Sequence, residues 1–160
     1  MIINTLWEIC RFEICFALNM ENHRGNDCIV SGSNSKIIVG VSGENIAADY
    51  IKNHGYRILD RNVRVGPDEI DIISRDRDGS LVFVEVKSMK TNGKAVRDSS
   101  IGLIPEDNFT KKKESKFHRA CNVFIAKHQE LIREDAGWKT MLITLTINNT
   151  NVVINTYDNV

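Results

Sequence analysis

Long apolar runs, prolines and an excess of either charge are scarce or missing in this 160-residue chain. No apolar stretch approaches the ~18–20 residues that span a membrane. The apolar N-terminal stretch is interrupted by Glu8, Arg11 and Glu13, which is atypical of a secretory signal. Twenty-one basic residues balance 21 acidic ones, which argues against a uniformly basic coat protein for nucleic acids. With 42% hydrophobic residues and two prolines, the chain is not of a disordered or collagen-like class.

Cysteine-based and glycine-based cofactor signatures are also absent. The four cysteines form no CxxC pair and complete no zinc pattern with the four histidines. Because the chain can build its own core and shows no export signal, we expect reduced thiols and a cytoplasmic protein. The sequence has no phosphate-binding loop and no dinucleotide fingerprint, so neither ATP nor NAD is an expected cofactor.

The chain divides into an N-terminal extension, residues 1–36, and a single domain, residues 37–160. Within the extension, residues 1–20 have apolar positions at helical spacing, and residues 21–36 are rich in Asn, Ser, Gly and charge. The extension is therefore predicted to be poorly ordered, with a short amphipathic helix as the alternative.

The domain alternates helical and strand patterns. A first helix is predicted between Ser42 as its N-cap and Gly55 as its stop, and a second between about Thr110 and about Arg133. Strand patterns cover five segments: 56–65, 69–76, 80–88, 138–147 and 151–157. The connections include a long loop over 89–108 and a hairpin turn at 148–150. This order predicts the α/β (α+β) class, with a mixed β-sheet flanked by helices.

The turn between the second and third strands decides which side chains meet. If Arg77-Asp78-Gly79 is a three-residue loop, paired residues have numbers that sum to 156. Asp71 then lies across from Glu85, and Lys87 shares their face of the sheet. A two-residue loop at Asp78-Gly79 would instead place Asp71 on the opposite face.

Two carboxylates about 5 Å apart repel each other unless a cation lies between them. Hard oxygen ligands in a partly open site suit Mg²⁺ or Mn²⁺. A lysine beside such a cation can orient a water molecule and stabilise charge that develops on a phosphate. Asp71, Glu85 and Lys87 are thus suited to phosphodiester hydrolysis, and the alternative for them is a solvated cross-strand salt bridge.

Three blocks of sequence resemble a known family. The segment VSGENIAADYIKNHGYRILDRNVRV resembles the opening block of the YraN-type bacterial proteins. The following DEIDIISRDRDGSLVFVEVKS is similar to their second block, and KKKESKFHRACNVFIAKH to their basic third block. The resemblance covers residues 40 to about 157. This family is largely uncharacterised and is similar to the PD-(D/E)XK, restriction-endonuclease-like fold, in particular to archaeal Holliday-junction resolvases.

The resemblance implies roles for individual positions. Asp71 and Glu85 would bind a divalent metal, Mg²⁺ or Mn²⁺, together with the main-chain carbonyl of Val86. Lys87 would position the attacking water, and Glu44 on the first helix would complete the site.

Two positions depart from the family pattern. Asp68 stands where a glycine is usual, and is either a third carboxylate near the site or a turn residue. Glu114 stands where the third block usually has glutamine, and a glutamate cannot approach a phosphate freely.

Basic residues concentrate in one part of this neutral chain. Residues 87–119 hold nine basic and four acidic side chains, a net charge of +5. Such a patch is typical of a surface that binds a phosphate backbone, although residues 111–119 alone could be a solvated helix face. Its members beyond the candidate site are predicted nucleic-acid-binding residues: Lys90, Lys94, Arg97, Lys111, Lys112, Lys113, Lys116 and Arg119.

Together these features predict a metal-dependent endonuclease that cleaves branched or structured DNA, in repair or recombination. A homodimer is expected, because resolvases of this fold cut symmetric junctions as pairs, and no membrane partner is expected. The first alternative is a non-catalytic nucleic-acid-binding module that retains the nuclease fold. The second is a structural or partner-binding protein whose charged stretches are ordinary surface.

Overall fold

The computed structural model describes residues 43–91, 109–147 and 152–160. The N-terminal extension, the proposed cap at Ser42, most of the long loop and the turn at 148–150 lie outside these residues. Among the described residues, no helix is long and apolar enough to cross a membrane. Cys121 is buried and forms no disulfide.

The described residues form two α-helices and a five-stranded mixed sheet. The elements are, in chain order, α1 (Gly43–Asn53), β1 (Arg57–Val65), β2 (Asp68–Arg75), β3 (Leu81–Lys90), α2 (Lys111–Lys127), a 3₁₀ turn (Gln129–Leu131), β4 (Trp138–Ile147) and β5 (Val152–Asp158). The strands lie in sequence order, and only the β3–β4 pair is parallel. The predicted class, a mixed sheet flanked by helices, is confirmed.

The central strand β3 is buried on both faces. Val82 and Val84 pack in a core with α1, whereas Leu81 and Phe83 pack in a second core with α2. Such double burial explains the nearly continuous apolar run at the start of β3. Glu85 is buried within the same strand, and its charge therefore requires a specific partner.

The hairpin between β2 and β3 has the predicted three-residue loop. The pairs run from Ile72 with Val84 to Arg75 with Leu81, and the numbers of each pair sum to 156. Gly79 has a φ of 95°, which is the left-handed conformation that this loop requires. The alternative two-residue loop is thereby excluded.

Helix α2 is shorter than the sequence predicted. It begins after Thr110, as expected, but ends at Lys127 rather than near Arg133. A 3₁₀ turn follows, and Leu131 within that turn packs against the α2 core. The predicted apolar stripe of the helix included Leu131. This side chain does pack in the same core as α2, but it belongs to the 3₁₀ turn that follows the helix. Strand β3 also extends to Lys90, into the predicted loop.

Candidate functional site

Asp71 lies where the pairing of β2 with β3 stops. The last paired residues are Ile72 and Val84, so Asp71 and Glu85 are not partners in the ladder. Instead, the Asp71 carboxylate accepts a hydrogen bond of 2.7 Å from the main-chain N–H of Val86 to its Oδ2. Asn62, at the corresponding position of β1, has a φ of 52° and marks a local distortion. Regular pairing between β2 and β3 stops one position short of the predicted Asp71–Glu85 pair.

The ionised form of Asp71 is unfavourable in this position. Burial, followed by the negative charge of Glu85, raises the pKa of Asp71 from 3.8 to about 6, although the Val86 N–H and Lys87 oppose the shift. Glu44 adds a smaller repulsion in the same direction. The site therefore concentrates negative charge that a bound cation would neutralise.

Lys87 lies against Glu85. The Nζ atom of Lys87 forms an ion pair with Glu85 Oε1, and the two side chains are 13% and 11% exposed. The same Nζ donates a hydrogen bond of 3.2 Å to the main-chain oxygen of Val86. The lysine thus contacts two of the oxygens that the family resemblance assigned to a metal.

The donor set fits a hard divalent cation. It consists of two carboxylates, Asp71 and Glu85, and the carbonyl of Val86, which are the oxygen ligands that Mg²⁺ and Mn²⁺ prefer. Burial first, and the charge of Glu85 second, raise the pKa of Asp71, and a bound cation would offset both effects. Within the described part of the chain, no three His, Cys, Asp or Glu side chains form a ready metal-binding group. Water or substrate oxygens would therefore have to complete the coordination.

Glu44 reaches the site from the first turn of α1. Its Oε2 lies 4.0 Å from Nη2 of Arg61, and that Nη2 donates a hydrogen bond of 2.8 Å to Asn45 Oδ1. Arg61 of β1 therefore anchors the start of α1 beside the site. Sequence analysis missed this residue, since nothing local in the sequence links Arg61 to a helix that precedes it by 16 positions.

Gly43 permits the close approach of α1 to the sheet. A Cβ atom there would lie 2.6 Å from Ser88 Cβ, 2.8 Å from Ser88 Oγ and 3.3 Å from Leu145 Cδ1. The absence of a side chain at Gly43 therefore sets the position of its neighbour Glu44.

Replacing Gly43 by alanine is expected to lower the free energy of unfolding by about 1–3 kcal/mol, as overpacking does. Urea unfolding measures this loss. Removing the Ser88 side chain in the double variant Gly43→Ala/Ser88→Gly should restore part of it. Equal stability of Gly43→Ala and the unaltered chain would contradict the close packing.

The candidate residues share one pocket with the start of α2. The pocket has a volume of about 420 Å³. Its lining residues come from α1, β2, β3, α2 and the β1–β2 turn: Glu44, Pro67, Asp68, Glu69, Asp71, Glu85, Val86, Lys87, Lys113, Lys116 and Phe117. All the predicted catalytic residues thus meet two of the predicted nucleic-acid-binding lysines.

The other predicted nucleic-acid-binding residues have varied positions. Lys111 and Lys112 are exposed at the start of α2, and Lys90 is exposed at the end of β3. Lys94 and Arg97 lie outside the described residues.

Arg119 is engaged with Asp68. Its Nε and Nη2 atoms lie 2.8 Å and 2.6 Å from Asp68 Oδ2. The Asp68 side chain is only 7% exposed, whereas that of Arg119 is 57% exposed. Asp68 is therefore a third carboxylate at the pocket, as one of the two sequence-based alternatives held, and Arg119 is its partner.

Several acidic groups of the pocket have arginine partners. The carboxylate–guanidinium distances are 4.0 Å for two pairs and 2.6 Å for the third: Glu44–Arg61, Glu69–Arg64 and Asp68–Arg119. These arginines offset negative charge around the Asp71 and Glu85 pair. A polyanion can then approach the pocket with less repulsion than its five carboxylates alone would cause.

Comparison with known proteins identifies the family. The model of "Uncharacterised protein family UPF0102" matches residues 43–140, more than half of the chain. The chain belongs to the UPF0102 family. The predicted YraN-type membership is thereby confirmed. The matched UPF0102 segment includes every lining residue of the pocket.

Two UPF0102 relatives illustrate the similarity. A UPF0102 protein of Clostridium botulinum (strain Loch Maree / Type A3) is 42% identical over 89 residues, which are 56% of this chain and 65% of that protein. One of Trichlorobacter lovleyi is 38% identical over 91 residues, 57% of this chain and 65% of that protein. The matches thus span about 65% of these relatives.

A solved structure, "The structure of Pyrococcus Furiosus SfsA in complex with Ca2+", matches 70% of this chain and 58% of that chain. The sequence identity is 16% and the TM-score is 0.26, so the match carries no argument about this UPF0102 protein.

Proposed function

We propose that this protein is a divalent-cation-dependent endonuclease that hydrolyses phosphodiester bonds of branched or structured DNA. The observation that carries this proposal is the meeting of Asp71, Glu85 and Lys87 in one pocket with Lys113 and Lys116. The acidic pair suits a cation, and the α2 lysines suit a phosphate backbone. The PD-(D/E)XK resemblance of the same strand segments agrees with this chemistry.

Each side chain has a distinct part in the proposed reaction. Asp71, Glu85 and the Val86 carbonyl would hold Mg²⁺ or Mn²⁺, which supplies Lewis-acid polarisation of the phosphate and lowers the pKa of bound water. Lys87, beside Glu85, orients the attacking water and stabilises the negative charge that develops on the phosphate. Lys113 and Lys116 line the same pocket and bind phosphate oxygens.

The proposal is tested on labelled four-way junction, flap, duplex and single-stranded DNA with Mg²⁺, Mn²⁺ or EDTA. The unaltered chain is expected to cut in Mg²⁺ or Mn²⁺ but not in EDTA. Asp71→Asn is expected to abolish cutting, because the amide can still accept the Val86 N–H but binds a cation poorly. Asp49→Asn, at an exposed carboxylate on α1, is the matched control and should cut normally. Cutting by Asp71→Asn at the unaltered rate would contradict the assignment.

A second candidate function is a non-catalytic module that binds nucleic acid. The contacts of Lys87 with both Glu85 Oε1 and the Val86 carbonyl favour it, since the lysine then compensates the charge of Glu85 without a metal. This function predicts shifted mobility of branched DNA in the same experiment without cleavage by any variant. A protein that neither cuts nor shifts DNA would exclude both functions.

We further propose that the protein acts as a homodimer on symmetric junctions. Sedimentation equilibrium with and without a four-way junction tests this. A protein that stays monomeric in both conditions would contradict it.

A further inference from the structure

We propose that the Asp68–Arg119 ion pair is a latch that positions the basic start of α2 over the pocket. The inference rests on the proposed function for its consequence, because the positioned lysines are those assigned to phosphate binding. In this proposal Arg119 aligns Lys113 and Lys116 and does not itself bind phosphate.

The first argument is the asymmetry of burial within the pair. The Asp68 side chain is only 7% exposed, and two nitrogens of Arg119 lie within 2.8 Å of its Oδ2. A buried carboxylate that loses its cation keeps the cost of its desolvation. Recruiting Arg119 to a DNA phosphate would incur that cost. Arg119 is therefore better suited to hold Asp68 than to bind a substrate.

The second argument is the weak anchoring of the helix start. The residues of the first helical turns, Lys111–Lys116, are exposed or half-buried. The first buried residue of α2 is Phe117. Phe109 packs edge-to-face on Phe117, with ring centroids 6.4 Å apart, and holds the core side of the helix. The ion pair of Arg119 with Asp68 holds the pocket side of the helix against the start of β2. Two ties on different sides fix the rotation of the helix.

The third argument is the spacing along α2. Lys113, Lys116 and Arg119 follow one another at intervals of three residues, which places them on neighbouring positions of one helical side. Asp68 lines the same pocket as both lysines. Fixing Arg119 on Asp68 therefore fixes the direction in which that side of α2 faces.

Hydrogen exchange tests the latch without reference to any activity. Arg119→Ala leaves a buried carboxylate and could unfold the chain, so the double variant Asp68→Asn/Arg119→Gln, which removes both charges, is measured as well. Amides of residues 113–117 should exchange about tenfold faster in these variants, which equals ~1.4 kcal/mol of local opening. Amides of residues 120–127 should stay within about twofold. Arg119→Lys, which keeps the charge, should restore part of the protection.

The matched control is Arg133→Ala, since Arg133 pairs with Asp135 but both side chains are largely exposed. It should leave exchange in α2 unchanged. Equal exchange at the helix start in the unaltered chain and in the double variant would overturn the latch. Uniformly faster exchange across α2 and the sheet would also overturn it, because the pair would then only stabilise the whole fold.

A double-mutant cycle tests the consequence for the substrate. Lys116→Ala is expected to weaken binding of a short DNA duplex in EDTA by about tenfold in the unaltered background. In the Asp68→Asn/Arg119→Gln background the loss should be less than about twofold, because Lys116 is no longer aligned. Equal losses in both backgrounds would overturn the positioning role. If the unaltered chain binds no DNA, the proposed function fails together with this consequence, while hydrogen exchange still decides the latch.

Discussion

Replacing Lys87 by methionine is expected to lower the rate of metal-dependent DNA cleavage by about 10²–10³-fold, a loss typical of removing one electrostatic contact to a transition state. Methionine has a similar length but no ammonium group to orient water or stabilise the phosphate. Binding of DNA in EDTA should change by less than about twofold, since Lys113 and Lys116 also line the pocket. Single-turnover cleavage and mobility shifts measure the two effects separately.

The same substitution should destabilise the protein in EDTA. Without the Lys87 ammonium, Glu85 remains buried beside Asp71 with an uncompensated charge. Mg²⁺ should restore much of the lost stability by replacing the missing positive charge. Lys52→Met, at an exposed lysine of α1, is the matched control and should alter neither rate nor stability. A Lys87→Met protein that cuts DNA at the unaltered rate would refute the catalytic role.

The second large effect is a gain of stability when Asp71 is replaced by asparagine in EDTA. The pKa of Asp71 is raised to about 6 from 3.8 by burial and by Glu85. A carboxyl group with a raised folded-state pKa binds its proton more tightly in the folded than in the unfolded state. Folding stability therefore falls as the pH rises from about 3.8 to about 6, by up to ~3 kcal/mol. Asparagine removes this penalty.

Urea unfolding at pH 4 and pH 8, with EDTA, measures this difference. The two proteins should be similarly stable at pH 4, and Asp71→Asn should be the more stable at pH 8. Adding Mg²⁺ at pH 8 should stabilise the unaltered chain and leave Asp71→Asn unchanged, because a ligand stabilises only the form that binds it. The reverse order of stability at pH 8 in EDTA would contradict the raised pKa of Asp71.

The sequence predicted those parts of the structure that depend on local rules. The register of the β2–β3 hairpin follows from a glycine at the end of a three-residue loop, and the alternation of side chains along β3 correctly placed Lys87 on the face of Glu85. The exact contacts of Asp71 did not follow. The ladder between β2 and β3 ends one position before Asp71, whose carboxylate instead accepts a hydrogen bond from the Val86 N–H, and no local pattern shows where a ladder ends.

Contacts between residues far apart in the sequence could not be predicted from local patterns. Asp68 and Arg119 are separated by 51 positions, so neither a turn preference nor a helical pattern could join them. Charge counting placed Arg119 correctly in a basic segment but could not show that its charge is already engaged. The end of α2 was misjudged for a similar reason, because Leu131 serves the α2 core from a 3₁₀ turn.

The single parallel pair of the sheet has a consequence for how the chain folds. Leu81 pairs with Trp138, which is 57 positions later, whereas β1, β2 and β3 join through short antiparallel turns. Closing the longer loop costs more chain entropy, so we expect the three-stranded meander to form before β4 joins it. Asp71 and Glu85 would then approach each other before α2 brings its lysines. In pulsed hydrogen exchange, the amides of β1, β2 and β3 should then become protected before those of β4.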